Sequence, residues 1–323
     1  MIWIWIAFVV FVILMLALDL GVFHRRAHEV SMKEASCWCI VWISLAMAFT
    51  VFVYFLYQHH LFGLTGLGDL KGHDAAVQFL TGYIVELSLS ADNIFVIALI
   101  FAYFRVEAKY QHRVLFWGIL GAVILRAIMI LGGIAIISRF DWVLYVFGAF
   151  LIYSAYKMLF GDSEVDPQKN LLVRAAKKIL PVTNEYHGPH FMVRVEGRRM
   201  LTPLALVLLA VESADVVFAV DSIPAIFAIT RESFIVFTSN IFAILGLRSM
   251  YFALSAILKK FRYLKISLTV LLAVIGTKML LKDVIEHLPG KTYITLGVIL
   301  AVLGAGVLAS VIWPEKKSET EAL

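Results

Sequence analysis

Seven side chains with oxygen donors stand inside two strongly apolar stretches: Glu86, Asp92 and Asn93 in the first, and Glu212, Asp215, Asp221 and Ser222 in the second. Carboxylate, amide and hydroxyl oxygens suit Mg, Mn and Ca, whereas copper and zinc favour sulfur and imidazole. The softer donors are elsewhere. All nine histidines fall in expected loops or at helix ends, and Cys37 and Cys39 occupy a different apolar run, two apart and so on different helix faces. An ionised carboxylate at the centre of a bilayer costs ~2.5–3.5 kcal/mol, so five unpaired ones would cost on the order of 12–17 kcal/mol. The buried bases in comparable stretches are Arg126 and Arg248. Five acids against two bases leave a surplus of negative charge that a divalent cation, bound protons or both would neutralise. Metal binding to protonated acids releases protons, which is the physical basis of metal/proton exchange.

Spacing constrains how these groups meet. Glu212 and Asp215 are three apart and share a helical face. Asp221 is six beyond Asp215, which on an unbroken helix turns it roughly 120° away. Pro224 has no N–H for the Val220 carbonyl, so the helix is expected to kink or open there and to leave that carbonyl beside Asp221 as a further ligand. Glu86 and Asp92 are also six apart, and the sequence leaves open whether their helix is broken. Asn240, with Thr238 and Ser239, is expected either to support the acids or to bridge helices by hydrogen bonds.

The elements that carry these residues are membrane spans. Of 323 residues, 62% are hydrophobic and 16% charged, against about 25% charged in soluble domains. Apolar runs of ~20 residues, the length that crosses a bilayer, predict an all-α polytopic membrane protein with nine helices: 1–22, 36–57, 76–103, 114–138, 142–160, 201–230, 235–258, 264–284 and 292–313. The chain opens on Met1-Ile2-Trp3 with no basic n-region, which reads as a retained helix. Loops after odd-numbered helices, with the tail and the adjoining helix-end residues Lys157 and Lys265, hold 20 Lys and Arg, and those after even-numbered helices, with Lys282, hold 5. The positive-inside rule then puts the N-terminus outside and the C-terminus in the cytoplasm. The net charge of +5 is thereby a topology signal and implies no nucleic-acid partner. Between the spans, 161–199 is the one sizeable extramembrane piece. It has a hairpin pattern around Glu196-Gly197 and basic residues suited to lipid headgroups.

The chain also repeats itself. Ser90-Ala-Asp92 matches Ser213-Ala-Asp215 at an offset of 123, Leu125-Arg126 matches Leu247-Arg248 at 122, and Lys157-Met-Leu159 matches Lys278-Met-Leu280 at 121. With the charge-derived topology, helices 3–5 and 6–8 become one three-helix unit used twice in opposite orientations. Inverted repeats of this kind recur in secondary transporters, with the substrate site near the midplane between them. The organisation expected is two leading helices (1–75), a first unit (76–160), the cytoplasmic piece (161–199), a second unit (200–284), and a last helix with its tail (285–323).

The stretches Val85-Glu86-x5-Asp92-Asn93-Ile-Phe-Val and Val211-Glu212-x2-Asp215-x5-Asp221-Ser-Ile-Pro-Ala225, with Thr238-Ser-Asn240-x7-Arg248-Ser-Met-Tyr251, resemble the TerC family, and within it the Alx branch. The resemblance covers nearly the whole chain. It implies a nine-helix protein of the bacterial inner membrane that exports Mn2+ from the cytoplasm, with Glu86, Asp92, Glu212, Asp215 and Asp221 at the ion site. It also implies an alternative, an accessory role in metal loading of secreted proteins beside a secretion machine. Other readings of the residues are a Ca2+ transporter and an intramembrane enzyme. No HExxH, GxSxG or nucleotide-binding motif occurs, so the expectation is a non-enzymatic secondary transporter driven by ion exchange, with Mn2+ as cargo and no organic cofactor.

Overall fold

The computed structural model describes residues 2–21, 31–61, 70–160, 171–183, 185–195, 197–254, 263–285 and 290–312. These residues form α1 (Ile2–Gly21), α2 (Met32–Gln58), α3 (Gly72–Tyr103), α4 (Ala108–Arg139), α5 (Val143–Phe160), α6 (Leu171–Ile179), β1 (Met192–Val195), β2 (Arg198–Leu201), α7 (Pro203–Phe227), α8 (Ser233–Leu254), α9 (Leu264–Leu280), α10 (Lys282–Ile285) and α11 (Lys291–Ile312). The protein is an all-α polytopic membrane protein. Among the described residues nine helices are long. Seven of them are long and apolar enough to cross a membrane, while α1 over Ile2–Leu18 and the 17-residue α9 are apolar but shorter.

Large apolar side chains point outward along the bundle, including Ile124, Ile128 and Leu131 on α4 and Val217 on α7, as a lipid solvent permits. The interior is built around α8, whose Thr238, Ser239, Asn240, Arg248 and Ser249 are all buried. Thr238 and Ser239 donate to the carbonyls of Phe234 and Ile235, each at 2.7 Å, which satisfies their hydroxyls inside the helix.

Contacts fix the relative directions of the helices. Along α3, Gly82 lies against Ile226 and Asn93 lies beside Asp215, so α3 and α7 run antiparallel. Along α4, Gly118 meets Val211 and Gly133 meets Phe227, so α4 and α7 run parallel. Gly82 with Ser239 and Phe101 with Tyr251 make α3 and α8 parallel in the same way. Gly148 of α5 lies against Met279 and Leu280 of α9, while Gly276 lies against Leu151 and Ile152, an antiparallel pair. α3 and α5 thus run opposite in direction to α7 and α9, respectively.

At the α5–α9 crossing a Cβ on Gly148 would stand 2.9 Å from the Gly276 carbonyl oxygen, and one on Gly276 2.8 Å from that of Gly148. Neither neighbour is a flexible side chain that can move aside. Gly276→Val is therefore expected to force α5 and α9 apart and to destabilise the fold by about 1–3 kcal/mol or more, measured by thermal unfolding of the purified protein.

The region between α5 and α7 is more structured than a solvated loop. It contains α6 and the antiparallel pair β1–β2, which turns at Gly197 with φ +79°. The Tyr186 hydroxyl donates to the Phe104 carbonyl at 2.7 Å, tying this piece to the end of α3. Thr202 then caps α7, accepting from the Ala205 N–H with Pro203 in the first turn, the standard start signal. Glu196 and residues 161–170 lie outside the described residues.

Candidate functional site

On a continuous helix, residues seven apart share a face and residues six apart do not. Both α3 and α7 are continuous across their acids. Pro224 does not open α7. Only three residues follow it in the helix, and its fixed φ is compatible with helical geometry. The Val220 carbonyl consequently belongs to a helical segment and not to an unwound ligand loop, and the Val220 side chain faces outward. Each helix presents the same pattern: an acid, a second acid six later, and a neutral oxygen donor seven later, as Glu86, Asp92, Asn93 and as Asp215, Asp221, Ser222. The first and third members must lie on one face and the second on another.

The structure divides the acids accordingly. Arg126 of α4 is fully buried between four helices. Its guanidinium forms an ion pair with Glu86 and donates to Asp215 Oδ1, Ser222 Oγ and Asn240 Oδ1, each at 3.2 Å. Asn240 in turn donates from Nδ2 to Glu86 Oε2 at 3.0 Å. One planar fork of donors thus joins α3, α4, α7 and α8, a geometry that arginine supplies and lysine does not.

Asp92 and Asp221 face a different space, a cavity of about 470 Å³ between α3, α5, α7 and α9. Asn93 and Ser222 also line it, and Ser222 links it to the arginine network. Ser154 of α5 donates to Asp221 Oδ1 at 2.6 Å, and Lys157, one turn further on, lines the same cavity. Sequence reasoning did not assign Ser154 or Lys157 to the site. The signal was a polar pair three apart near the end of an otherwise apolar span.

A second, smaller void of about 20 Å³ lies between Asn93 and Asp215, walled by Ile97, Leu115, Val211 and Phe218. That is room for about one water-sized particle. Asn93 Oδ1 and Asp215 Oδ2 are both buried without a hydrogen-bond donor, and so is Glu212 Oε2. Glu212 projects from α7 against Gly121 of α4, where an added Cβ would collide with its carboxylate.

One expectation is corrected. The five acids do not converge on one centre, and among the described residues no three His, Cys, Asp or Glu side chains group to hold a metal. Helix continuity is the reason, since it turns Asp92 and Asp221 away from Glu86 and Asp215. Of the two expected bases, Arg126 pairs with Glu86 and Asp215, and Arg248 is buried on α8.

The chain is 49% identical over 309 residues to an uncharacterised membrane protein of Myxococcus xanthus, covering 95% of this chain and 92% of that protein. A protein of Escherichia coli K12 that carries the name membrane-bound redox modulator Alx is 46% identical over 302 residues, 93% of this chain and 91% of its own. The Alx of Photorhabdus laumondii is 40% identical over 319 residues, 98% and 97% of the two chains. No solved structure matches. Residues 71–318, which include both acid-bearing helices and the arginine between them, match the family described as integral membrane protein TerC. The chain belongs to the TerC family of integral membrane proteins.

Proposed function

We propose that this protein is a secondary transporter that moves a divalent metal cation across the bacterial plasma membrane, with Mn2+ as the cargo and protons as the counter-ion. The observation that carries the reading is a set of buried oxygens without donors, Asn93 Oδ1, Glu212 Oε2 and Asp215 Oδ2, beside two carboxylates that share one guanidinium. An acceptor in a low-dielectric interior with no donor is costly, and a cation relieves it. The adjoining cavity offers two carboxylates, Asp92 and Asp221, with the Asn93, Ser154 and Ser222 oxygens around them. Few carboxylates completed by neutral oxygen and water suit ions of the Mg and Mn type, which keep part of their hydration. Such a site holds an ion weakly enough to release it.

The antiparallel relation of α3 to α7 supports alternating access, because two like units in opposite directions can expose one midplane site to either side in turn. The asymmetry of basic residues supports an outward N-terminus and a cytoplasmic C-terminus. With that orientation the reading is export from the cytoplasm.

The relatives' name suggests redox work instead. In this chain the two cysteines are i and i+2 on α2, both free, and they point to different faces, which disfavours a disulfide between them. Flux measurement in proteoliposomes decides the matter. Wild-type protein should carry Mn2+ down an imposed gradient, faster with an opposing pH gradient. Flux of Ca2+ alone would change the cargo. Absence of flux of Mn2+, Ca2+ and Mg2+ would end the transporter reading and favour an accessory role in metalation.

Gly121→Ala offers a mild test of Glu212. The atoms nearest its Cβ are the far end of a flexible side chain, so the carboxylate is displaced and the backbone is not. The half-saturating Mn2+ concentration is expected to rise, on the order of the 10–100-fold seen when groups around a metal are disturbed. The unfolding temperature should stay near that of wild type.

A further inference from the structure

A cavity of about 310 Å³ opens at the end of the bundle where α7 turns into α8, bounded also by α9, α10 and α11. Its cationic lining is Arg231, Lys278, Lys282 and Lys291, against one lining carboxylate, Glu232. Arg231 is engaged by Asp141 at 2.8 Å. Lys278 and Lys291 repel one another. Burial of the Glu232 carboxyl pushes its pKa above the ordinary value. The rest of the wall divides into hydroxyls, Thr230 and Thr292, and apolar surface from Leu144, Phe227 and Met279.

Lys278 is the repeat counterpart of Lys157. Because α5 and α9 run antiparallel, the two lysines stand at opposite ends of the pair. The cavity at Lys157 contains two aspartates, whereas the cavity at Lys278 gathers three more cations. The linings of the two cavities are thus opposite in net charge at equivalent positions.

We propose that the Lys278 cavity binds a phosphate group, with Lys278 and Lys282 as its principal partners. Lysines from separate elements converging on one space are held apart by repulsion unless an anion sits between them. A phosphate offers several acceptor oxygens to several ammonium donors at once. Cationic groups over an apolar wall match an anionic phospholipid, headgroup inward and chains along the helices, as basic pockets between membrane helices do. Inorganic phosphate presents the same chemistry without the chains. The proposal does not depend on metal transport.

The test uses full-length protein in neutral detergent, with bound lipid counted by native mass spectrometry in an equimolar mixture of phosphatidylglycerol and phosphatidylcholine. Inorganic phosphate is tested separately by thermal shift against chloride at equal ionic strength. Wild type should retain phosphatidylglycerol preferentially, and Lys278→Met and Lys282→Met should each reduce that preference about fivefold. Arg199→Met, at an exposed basic position on β2, should leave it unchanged. Stabilisation by inorganic phosphate that Lys282→Met abolishes, with no lipid preference, would support the site and assign it a soluble ligand. Equal retention of both lipids with no phosphate effect overturns the proposal. So does a preference that survives both lysine substitutions or vanishes equally in Arg199→Met. If Lys278→Met fails to fold, Lys282→Met and Lys278→Arg carry the comparison, the latter retaining the preference.

Discussion

Asp221→Asn and Asp92→Asn are each expected to lower Mn2+ flux in proteoliposomes by at least about 100-fold at sub-saturating metal, with little change in stability. Both carboxylates face the 470 Å³ cavity and neither is held by Arg126. Amidation therefore removes charge without stranding a buried partner. At Asp221 the Ser154 hydroxyl donates at 2.6 Å, and the amide oxygen of asparagine can accept that bond in turn. The loss in flux would then report charge and not packing. Glu is the informative contrast at position 221: it keeps the charge but lengthens the side chain by one methylene, so partial flux with weaker metal affinity is expected. Full flux in both Asn variants would show that the cavity acids carry no cargo.

Arg126→Met has the largest expected effect on the fold itself. The guanidinium is wholly buried and answers Glu86, Asp215, Ser222 and Asn240 together. Removing it leaves two carboxylates facing each other in a low-dielectric interior, and breaking a buried pair in this way costs about 3–5 kcal/mol. Combining Arg126→Met with Glu86→Gln and Asp215→Asn removes the stranded charges and should recover most of that loss in unfolding measurements, while flux stays low. If the single substitution were neutral, the arginine network would not be what joins the four helices. Arg126→Lys is expected to recover little, because one ammonium cannot reproduce a fork that reaches four acceptors.

These two outcomes also separate what was legible in the sequence from what was not. The spans were legible because membrane crossing demands length and apolarity, which reside in the chain itself. The third, sixth and eighth expected spans coincide with α3, α7 and α9 to within a few residues. The identities of the acids and of Arg126 were legible for the same reason, since charge in hydrocarbon stands out. The division of the acids between an arginine network and a cavity was not. It depends on the continuity of α3 and α7, and Pro224 pointed the other way. The six-and-seven spacing at 86, 92 and 93, repeated at 215, 221 and 222, held the answer, but it becomes a statement about faces only once both helices are known to be unbroken. Ser154 and Lys157 were harder still. Their part follows from α5 lying beside α7, a tertiary fact with no local mark. The eight matched pairs of the repeat at offsets of 121–123 did not foretell that Arg126 would join four helices.

The touching main chains of Gly148 and Gly276 have a mechanical consequence. At that level the two main chains set the distance between α5 and α9, with Leu151, Ile152, Met279 and Leu280 packed around the contact. Two helices in backbone contact can turn on one another about that point with little change in their separation. The crossing is therefore suited to act as a pivot, with the aspartate cavity at one side of it and the lysine cavity at the other, so that opening one would tend to close the other.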